Sequence, residues 1–521
     1  MAAYDDMLDA AGSMGPWQMW TFGWIWFSQF FQAMTNIAVV FMQFQPKYKC
    51  DINEDLIVSR SADECYYTLS NGSTSQLIEC QSFIYDQSEM TRTIVTQWDL
   101  VCSQKMRSAD AQSTFMAGFF FGALLSGLFS DRFGRKKVVV VSGTATAILG
   151  ILQVHTTSFP LFLICRFLLS LANVACYSTG FVLCMELTTN KHRDWIGGMF
   201  YIPYAMGYTS LSLFAYFLRD WRMMHAAISL PVMINLAFWW LLPESPRWMV
   251  TKGRMQHALP VLAKAAKLNG HCEQFENLIE SSAYDEEEKT QEDDSWLNNN
   301  FLMIFKHRTM AVRCLLISLV WFVTSMVYYG ISLNVQAFPG DIFAQNAIAG
   351  AMEIPGYVLA VLLLCWGRRP AVSITLVIVG CCLIAIPMLP KVSVWLTVRH
   401  GLAMIGKLSV TATFAAIYVH TAELFPTVVR DSGMGVCNSI GRIGSMLAPY
   451  ISTVSFSVVN SDAQFESMLI YGALSLSAAA VSLCVPETRN VEMPETFEDA
   501  ERPTSNLTLL TNTEKCGAPA S

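Results

Sequence analysis

Apolar runs of about 20 residues recur along the chain, each long enough to cross the roughly 30 Å hydrocarbon core of a bilayer as a helix. Twelve are read, with boundaries good to about 4 residues. Six lie near 17–43, 108–130, 138–156, 160–183, 196–217 and 223–242. Six more lie near 309–333, 343–366, 371–389, 394–420, 432–455 and 465–485. Three polar stretches interrupt them: about 44–107, 244–308 and the tail 486–521. The expected architecture is therefore all-α and polytopic, with twelve transmembrane helices in two six-helix bundles, 1–243 and 309–485, joined by a central region.

Composition sharpens this picture. Hydrophobic residues make up 53% of the 521 positions and charged residues only 14%, too few to clothe a soluble chain of this length. The net charge of -7 carries little meaning, because the acidic run "YDEEEKTQEDD" at 284–294 is read as a solvated spacer. The polar, acidic start "MAAYDDMLDAAGS" lacks the basic region of a cleavable signal. Lys and Arg collect in "DRFGRKK" (131–137), "TTNKHRD" (188–194), "SPRWMVTKGR" (245–254) and "GRRP" (367–370), which assigns those segments and both termini to the cytoplasm. The 44–107 segment then lies outside. It holds Cys50, Cys65, Cys80 and Cys102, expected to form two disulfides in one of three pairings, and Asn71-Gly72-Ser73, a glycosylation acceptor. The second sequon at Asn506 falls in the tail and is expected to stay unmodified.

The two halves repeat one another. Glu186-Leu187 before Arg193-Asp194 matches Glu423-Leu424 before Arg430-Asp431, 237 positions later. "GRK" at 134–136 returns as "GRR" at 367–369, and "PES" at 243–245 as "PET" at 486–488. Three ordered matches at nearly one offset point to a duplicated bundle, the plan of a transporter that rocks two halves about a central site. Asp131, Arg135, Glu186, Arg193, Glu423 and Arg430 stand at the expected cytoplasmic helix ends, where ion pairs could close an inner gate; Glu423 is expected to pair with Arg430.

Three ionisable residues interrupt the second-half helices near mid-depth: Glu353, Lys407 and Arg442. Charges at that depth are costly and mark functional positions. Two cations and one anion leave a positive surplus that a ligand carboxylate could match through the Arg442 fork. Glu353 neutralising one of the cations as a purely structural pair is the simpler alternative. Trp321, Tyr328, Tyr329, Tyr357, Phe414 and Tyr418 supply aromatic faces of the kind that hold quaternary ammonium groups. "GLAMIGKL" (401–408) has phosphate-loop spacing but lacks the hydroxyl residue and sits inside an apolar helix, so it is a decoy. No zinc-ligand spacing, nucleophile elbow or nucleic-acid motif occurs, so no metal, enzymatic activity or nucleic-acid partner is read.

"GLFSDRFGRKK" (127–137) resembles the signature loop of the major facilitator superfamily, although Leu364 replaces the Asp in the second-half counterpart. "TIVTQWDLVC" (93–102), "LFAYFLRDWRM" (213–223), "PESPRWM" (243–249) and "TAELFPTVVRDSGMGV" (421–436) together resemble the organic cation, anion and carnitine transporter family. "GDIF" (340–343), "EIPGYVLA" (353–360) and "RIGSMLAPY" (442–450) look closest to its carnitine and novel-type organic cation members. The resemblance implies plasma-membrane transport of carnitine-like zwitterions and organic cations by alternating access. An organic anion exchanger is the alternative, and a transport-dead sensor with this fold a more distant one. In the family, cation-selective members carry an acid where Arg442 stands, and anion members place a lysine where Tyr357 stands. No cofactor is implied, only a coupling ion, Na+ or H+. Sodium-dependent members carry asparagines where this chain has Gln32 and Cys176, a departure that argues against sodium coupling. The expected partners are a small organic ion and the lipid bilayer; oligomeric state is not legible.

Overall fold

A computed structural model describes residues 2–51, 57–60, 65–71, 74–281, 304–334, 340–390, 393–426, 429–455 and 463–489. Nine helical segments among them are long and apolar enough to cross a membrane: Pro16–Met42, Cys102–Phe133, Arg135–Val154, Phe159–Glu186, Trp221–Leu241, Arg308–Leu333, Ile342–Leu364, Arg368–Met388 and Trp395–Leu424. The other three expected spans are helices as well. Ile202–Leu218 has only 17 residues. Arg430–Ser455 is diluted by Arg430, Asp431, Asn438 and Arg442. Ala463–Leu483 has its apolar stretch at Ser467–Leu483. The chain is a polytopic helical membrane protein.

The chain divides into two compact units, Met1–Thr290 with Pro339–Ala351, and Gln291–Phe338 with Met352–Ser521. Two segments extend the first unit beyond the six-helix block read from sequence. The amphipathic helix Met255–Asn269 buries Leu262, Ala265 and Ala266 in one cluster with Tyr4, Met7 and Leu8 of the polar start, itself the helix Ala2–Ala10. Asn269 fastens this layer, donating to the Ala11 and Gly12 carbonyls at 3.0 Å and accepting from the Trp17 amide at 3.1 Å. The short helix Ile342–Ala351 belongs there too: Phe343 stacks on Phe41 at 5.5 Å, and Asn346 donates to the Ser212 hydroxyl at 2.9 Å.

The 44–107 segment holds strands that the apolar pattern did not announce. Tyr48–Cys50 pairs antiparallel with Phe83–Tyr85, and Ile57–Arg60, Tyr66–Asn71 and Thr74–Glu79 form a three-stranded sheet. Disulfides join Cys50 to Cys80 and Cys65 to Cys102, resolving the three pairings to one. Asn71 ends its strand opposite Thr74. Enzymatic deglycosylation is expected to increase the gel mobility of the wild type and to leave Asn71→Gln unmoved, with uptake largely retained. A shift that persists in Asn71→Gln would place the modified asparagine elsewhere. The Asn506 sequon lies outside the described residues.

Candidate functional site

The repeat read from sequence is a repeated network of contacts. In the first unit, Gly134 (φ +100°) turns the chain into the helix Arg135–Val154. Arg135 then grips Glu186 through Nη2 at 2.9 Å and Nε at 3.0 Å, and Asp131 through Nη1 at 2.7 Å. The Arg135 and Lys136 amides donate to Glu244 at 2.8 and 3.0 Å. In the second unit, Gly367 (φ +151°) precedes the helix Arg368–Met388. Arg368 grips Glu423 at 2.6 and 2.8 Å, and the Arg368 and Arg369 amides donate to Glu487 at 2.8 and 3.1 Å. A side chain at either glycine would strike the Glu244 or Glu487 carboxylate, so both positions require glycine for space as well as for φ. Burial alone would raise the Glu487 carboxyl, but backbone amides of Arg368, Arg489, Arg369 and Thr488 hold it below the usual carboxylate range.

These contacts revise the expected gate residues. Glu423 is held by Arg368 and by the Thr488 hydroxyl at 2.7 Å, not by Arg430, whose Nε donates to the Phe425 carbonyl at 3.4 Å. Asp131, Arg135 and Glu186 bond within the first unit, and Glu423 within the second, so each pair ties helix ends of one bundle together. The Arg193 side chain lies outside the described residues. Losing a charge-assisted pair of this kind costs about 1.5–3 kcal/mol. Arg368→Glu or Glu423→Arg alone is therefore expected to cut uptake several-fold, and the double swap to recover part of it at matched surface expression. A swap no better than the singles would assign the function of Arg368 to its amide bond with Glu487.

The second unit also collects the mid-helix charges. Glu353 opens the helix Glu353–Leu364, where the helix N-terminus favours a carboxylate. Its Oε1 lies 3.0 Å from the Lys407 ammonium, with both side chains 0% exposed. The Tyr328 hydroxyl donates to the same oxygen at 2.6 Å and the Tyr357 hydroxyl to Oε2 at 3.1 Å. Lys407 completes its shell by donating to the Ser332 hydroxyl at 2.9 Å and lying over the Tyr328 ring at 3.4 Å. The pair is fully enclosed and internally satisfied, as a buried ion pair must be to persist. Glu353 and Lys407, expected as ligand contacts, are thus matched to each other.

Arg442 stands apart from that pair. It is 8% exposed, and its guanidinium charge acts on the Tyr329 and Tyr418 hydroxyls. Two turns earlier on the same helix face, a methyl at Gly435 would meet nothing within 4 Å, so the backbone there borders open space. The aromatic residues sort by burial. Trp321 is fully enclosed, its indole N–H donating to the Thr421 hydroxyl at 2.9 Å, and it packs edge-on against Tyr418 at 4.5 Å. Phe414 bridges Trp321 and Tyr328, at 5.8 and 5.4 Å between ring centroids. Tyr357, Phe414 and Tyr418 are half-buried and keep exposed surface. Trp321 therefore backs this cluster, and Tyr418, Phe414 and Tyr357 keep the more exposed surface.

Sequence reading missed Ser332, Thr421 and Arg368. Ser332 lies one helical turn beyond Tyr328 and Thr421 one turn before the helix end, both at positions that spacing could have flagged; Arg368 is the repeat partner of Arg135. In the first unit, Gln32 donates to the Cys176 sulfur at 3.1 Å and to Ser28 at 2.9 Å, so the two departures from the sodium-dependent pattern meet in one contact.

A duplicated bundle of membrane helices, with charged side chains buried among them, is the architecture of a polytopic membrane transporter. Comparison with known proteins agrees. Residues 34–499 match the family described as "Sugar (and other) transporter". The organic cation transporter protein of Drosophila melanogaster is 33% identical over 96% of this chain and 94% of its own length. The human organic cation/carnitine transporter 2 is 31% identical over 96% of this chain and 94% of its own. The xylose transporter XylE from E. coli, in a partially occluded inward-open structure, shares the fold with a TM-score of 0.60 at 16% identity, over 91% of this chain and 99% of that one. The chain belongs to the sugar (and other) transporter family of the major facilitator superfamily, among the organic cation, anion and carnitine transporters.

Proposed function

We propose that this transporter carries carnitine-like zwitterions and organic cations across the plasma membrane by alternating access, with both termini in the cytoplasm. The observation that carries the reading is the position of Arg442, a nearly buried cation flanked by half-buried aromatic rings in the second unit. A carboxylate would seat on the guanidinium, and an ammonium on the faces of Tyr418, Phe414 and Tyr357. The relatives named for organic cation and carnitine transport support the substrate class. The organic anion alternative is less favoured, because Lys407 is neutralised by Glu353 and a tyrosine stands at 357.

Uptake of labelled carnitine, tetraethylammonium and a dicarboxylate in cells expressing the chain tests the proposal. Saturable uptake of carnitine, inhibited by tetraethylammonium and not by the dicarboxylate, is the expected result. Dicarboxylate uptake alone would establish the anion reading, and no uptake of any of the three, at normal surface expression, would overturn both.

A further inference from the structure

The first unit contains a cavity of about 440 Å³. It lies where three spans end. Phe133 closes Cys102–Phe133, Lys136 and Lys137 stand in the first turn of Arg135–Val154, and Trp239 sits in the last turn of Trp221–Leu241. Its far wall is built by Trp248, Arg254 and His257, on and beside the helices Pro246–Thr251 and Met255–Asn269. The volume falls within the range of small-ligand pockets.

The charges lining this cavity do not cancel. Lys136, Lys137 and Arg254 face a single acid, Glu244, whose Oε1 is already taken by the amides of Arg135, Lys136 and Ser245 at 2.8, 3.0 and 3.0 Å. Among the described residues, no carboxylate oxygen lies within 4.0 Å of the three cationic groups. Two of them rest on aromatic faces instead: the Lys136 ammonium is 5.9 Å from the Trp239 ring and the Arg254 guanidinium 5.7 Å from the Trp248 ring. Glu244 attracts Lys136, and Lys264 adds a weaker repelling charge beside it. The apolar rim is open as well, with Phe133 and Trp239 about half exposed and the neighbouring Trp240 78% exposed.

We propose that this cavity binds the headgroup of an anionic phospholipid. Its phosphates lie among Lys136, Lys137 and Arg254, and its acyl chains leave along Phe133 and Trp239. A free phosphate satisfies the cations but leaves the aromatic rim uncovered. A lipid satisfies both, and the ends of three spans place the cavity at headgroup depth. The lysine and arginine bias assigns that depth to the cytoplasmic leaflet, where anionic lipids concentrate.

The test uses the full-length protein in a neutral detergent, titrated with dioctanoyl phosphatidylinositol bisphosphate, dioctanoyl phosphatidylcholine and free inositol trisphosphate. Binding is read by native mass spectrometry and by the unfolding temperature. The phosphoinositide is expected to bind and to raise the unfolding temperature, phosphatidylcholine to do neither, and the free headgroup to bind at least about tenfold more weakly. Lys136→Gln/Lys137→Gln/Arg254→Gln is expected to weaken phosphoinositide binding by at least about tenfold, since each cation near a membrane surface contributes severalfold. Arg254→Gln alone, a milder change, is expected to weaken it about fivefold on the same scale. Equal binding of lipid and free headgroup would overturn the lipid reading in favour of a soluble polyanion. Phosphatidylcholine binding as tightly as the phosphoinositide, or unchanged binding by the Arg254→Gln variant, would overturn the site.

Discussion

Removing the Lys407 ammonium alone is expected to clear most of the protein from the cell surface, and removing Glu353 with it to bring much of it back. Lys407 and Glu353 are both completely enclosed and 3.0 Å apart. Breaking such a pair from one side strands a charge in a medium that cannot solvate it, at a cost of about 3–5 kcal/mol. In Lys407→Met the Tyr328 and Tyr357 hydroxyls still donate to Glu353, which softens the loss without supplying a countercharge. In Glu353→Gln the ammonium keeps Ser332 and the Tyr328 ring but loses its anion. The double variant Glu353→Gln/Lys407→Met has no charge left to strand, and replacing both partners of a buried pair is often neutral or stabilising. Surface biotinylation of the four proteins, with unfolding temperatures in detergent, measures the effect. A double variant that is lost as completely as either single would mean that the two residues act separately.

That cluster also marks the limits of what could be read from the sequence. The charges were visible because an ionisable residue in an apolar run stands out against its neighbours. Their pairing was not, because Arg308–Leu333 is apolar around its circumference and spacing cannot say which side meets Glu353. Trp321 and Tyr328 looked equivalent as aromatic candidates. One is a packing residue with its N–H consumed by Thr421, and the other is a ligand of the ion pair.

The repeat is the most informative signal in the sequence. The 233-position step from "GRK" to "GRR" carries Arg135 onto Arg368, and with it the partner of Glu423. Arg430 is closer to Glu423 along the chain, whereas the contact with Arg368 spans 55 residues. The division of the apolar run Ile342–Leu364 had its own marker. Pro355 has no N–H to give to the Ala351 carbonyl, and the helix breaks at Met352. The strands of the 44–107 segment escaped because disulfides and local pairing, not a periodic apolar face, organise that stretch.

Arg442→Lys is expected to weaken carnitine strongly and its methyl ester hardly at all. Burying an arginine near mid-membrane costs about 2.5–3.5 kcal/mol on insertion scales, so its retention calls for a compensating task. Glu353 is already matched by Lys407, and the Arg442 guanidinium charge acts on the phenols of Tyr329 and Tyr418. A substrate carboxylate would seat on the planar fork through two parallel hydrogen bonds. Lysine keeps the charge and loses the fork. Truncating one side of a desolvated charged contact costs about 2–5 kcal/mol, a loss of roughly 30-fold or more in affinity. The ester has no carboxylate to lose, so it is the internal control. Arg442→Asp is expected to go further, rejecting carboxylates and favouring plain cations, because the acid both repels the former and attracts the latter. Affinities for carnitine and its methyl ester, measured side by side on variants matched for surface expression, decide the matter. Equal losses for the two ligands would mean that Arg442 holds Tyr329 and Tyr418 in place and never meets the substrate.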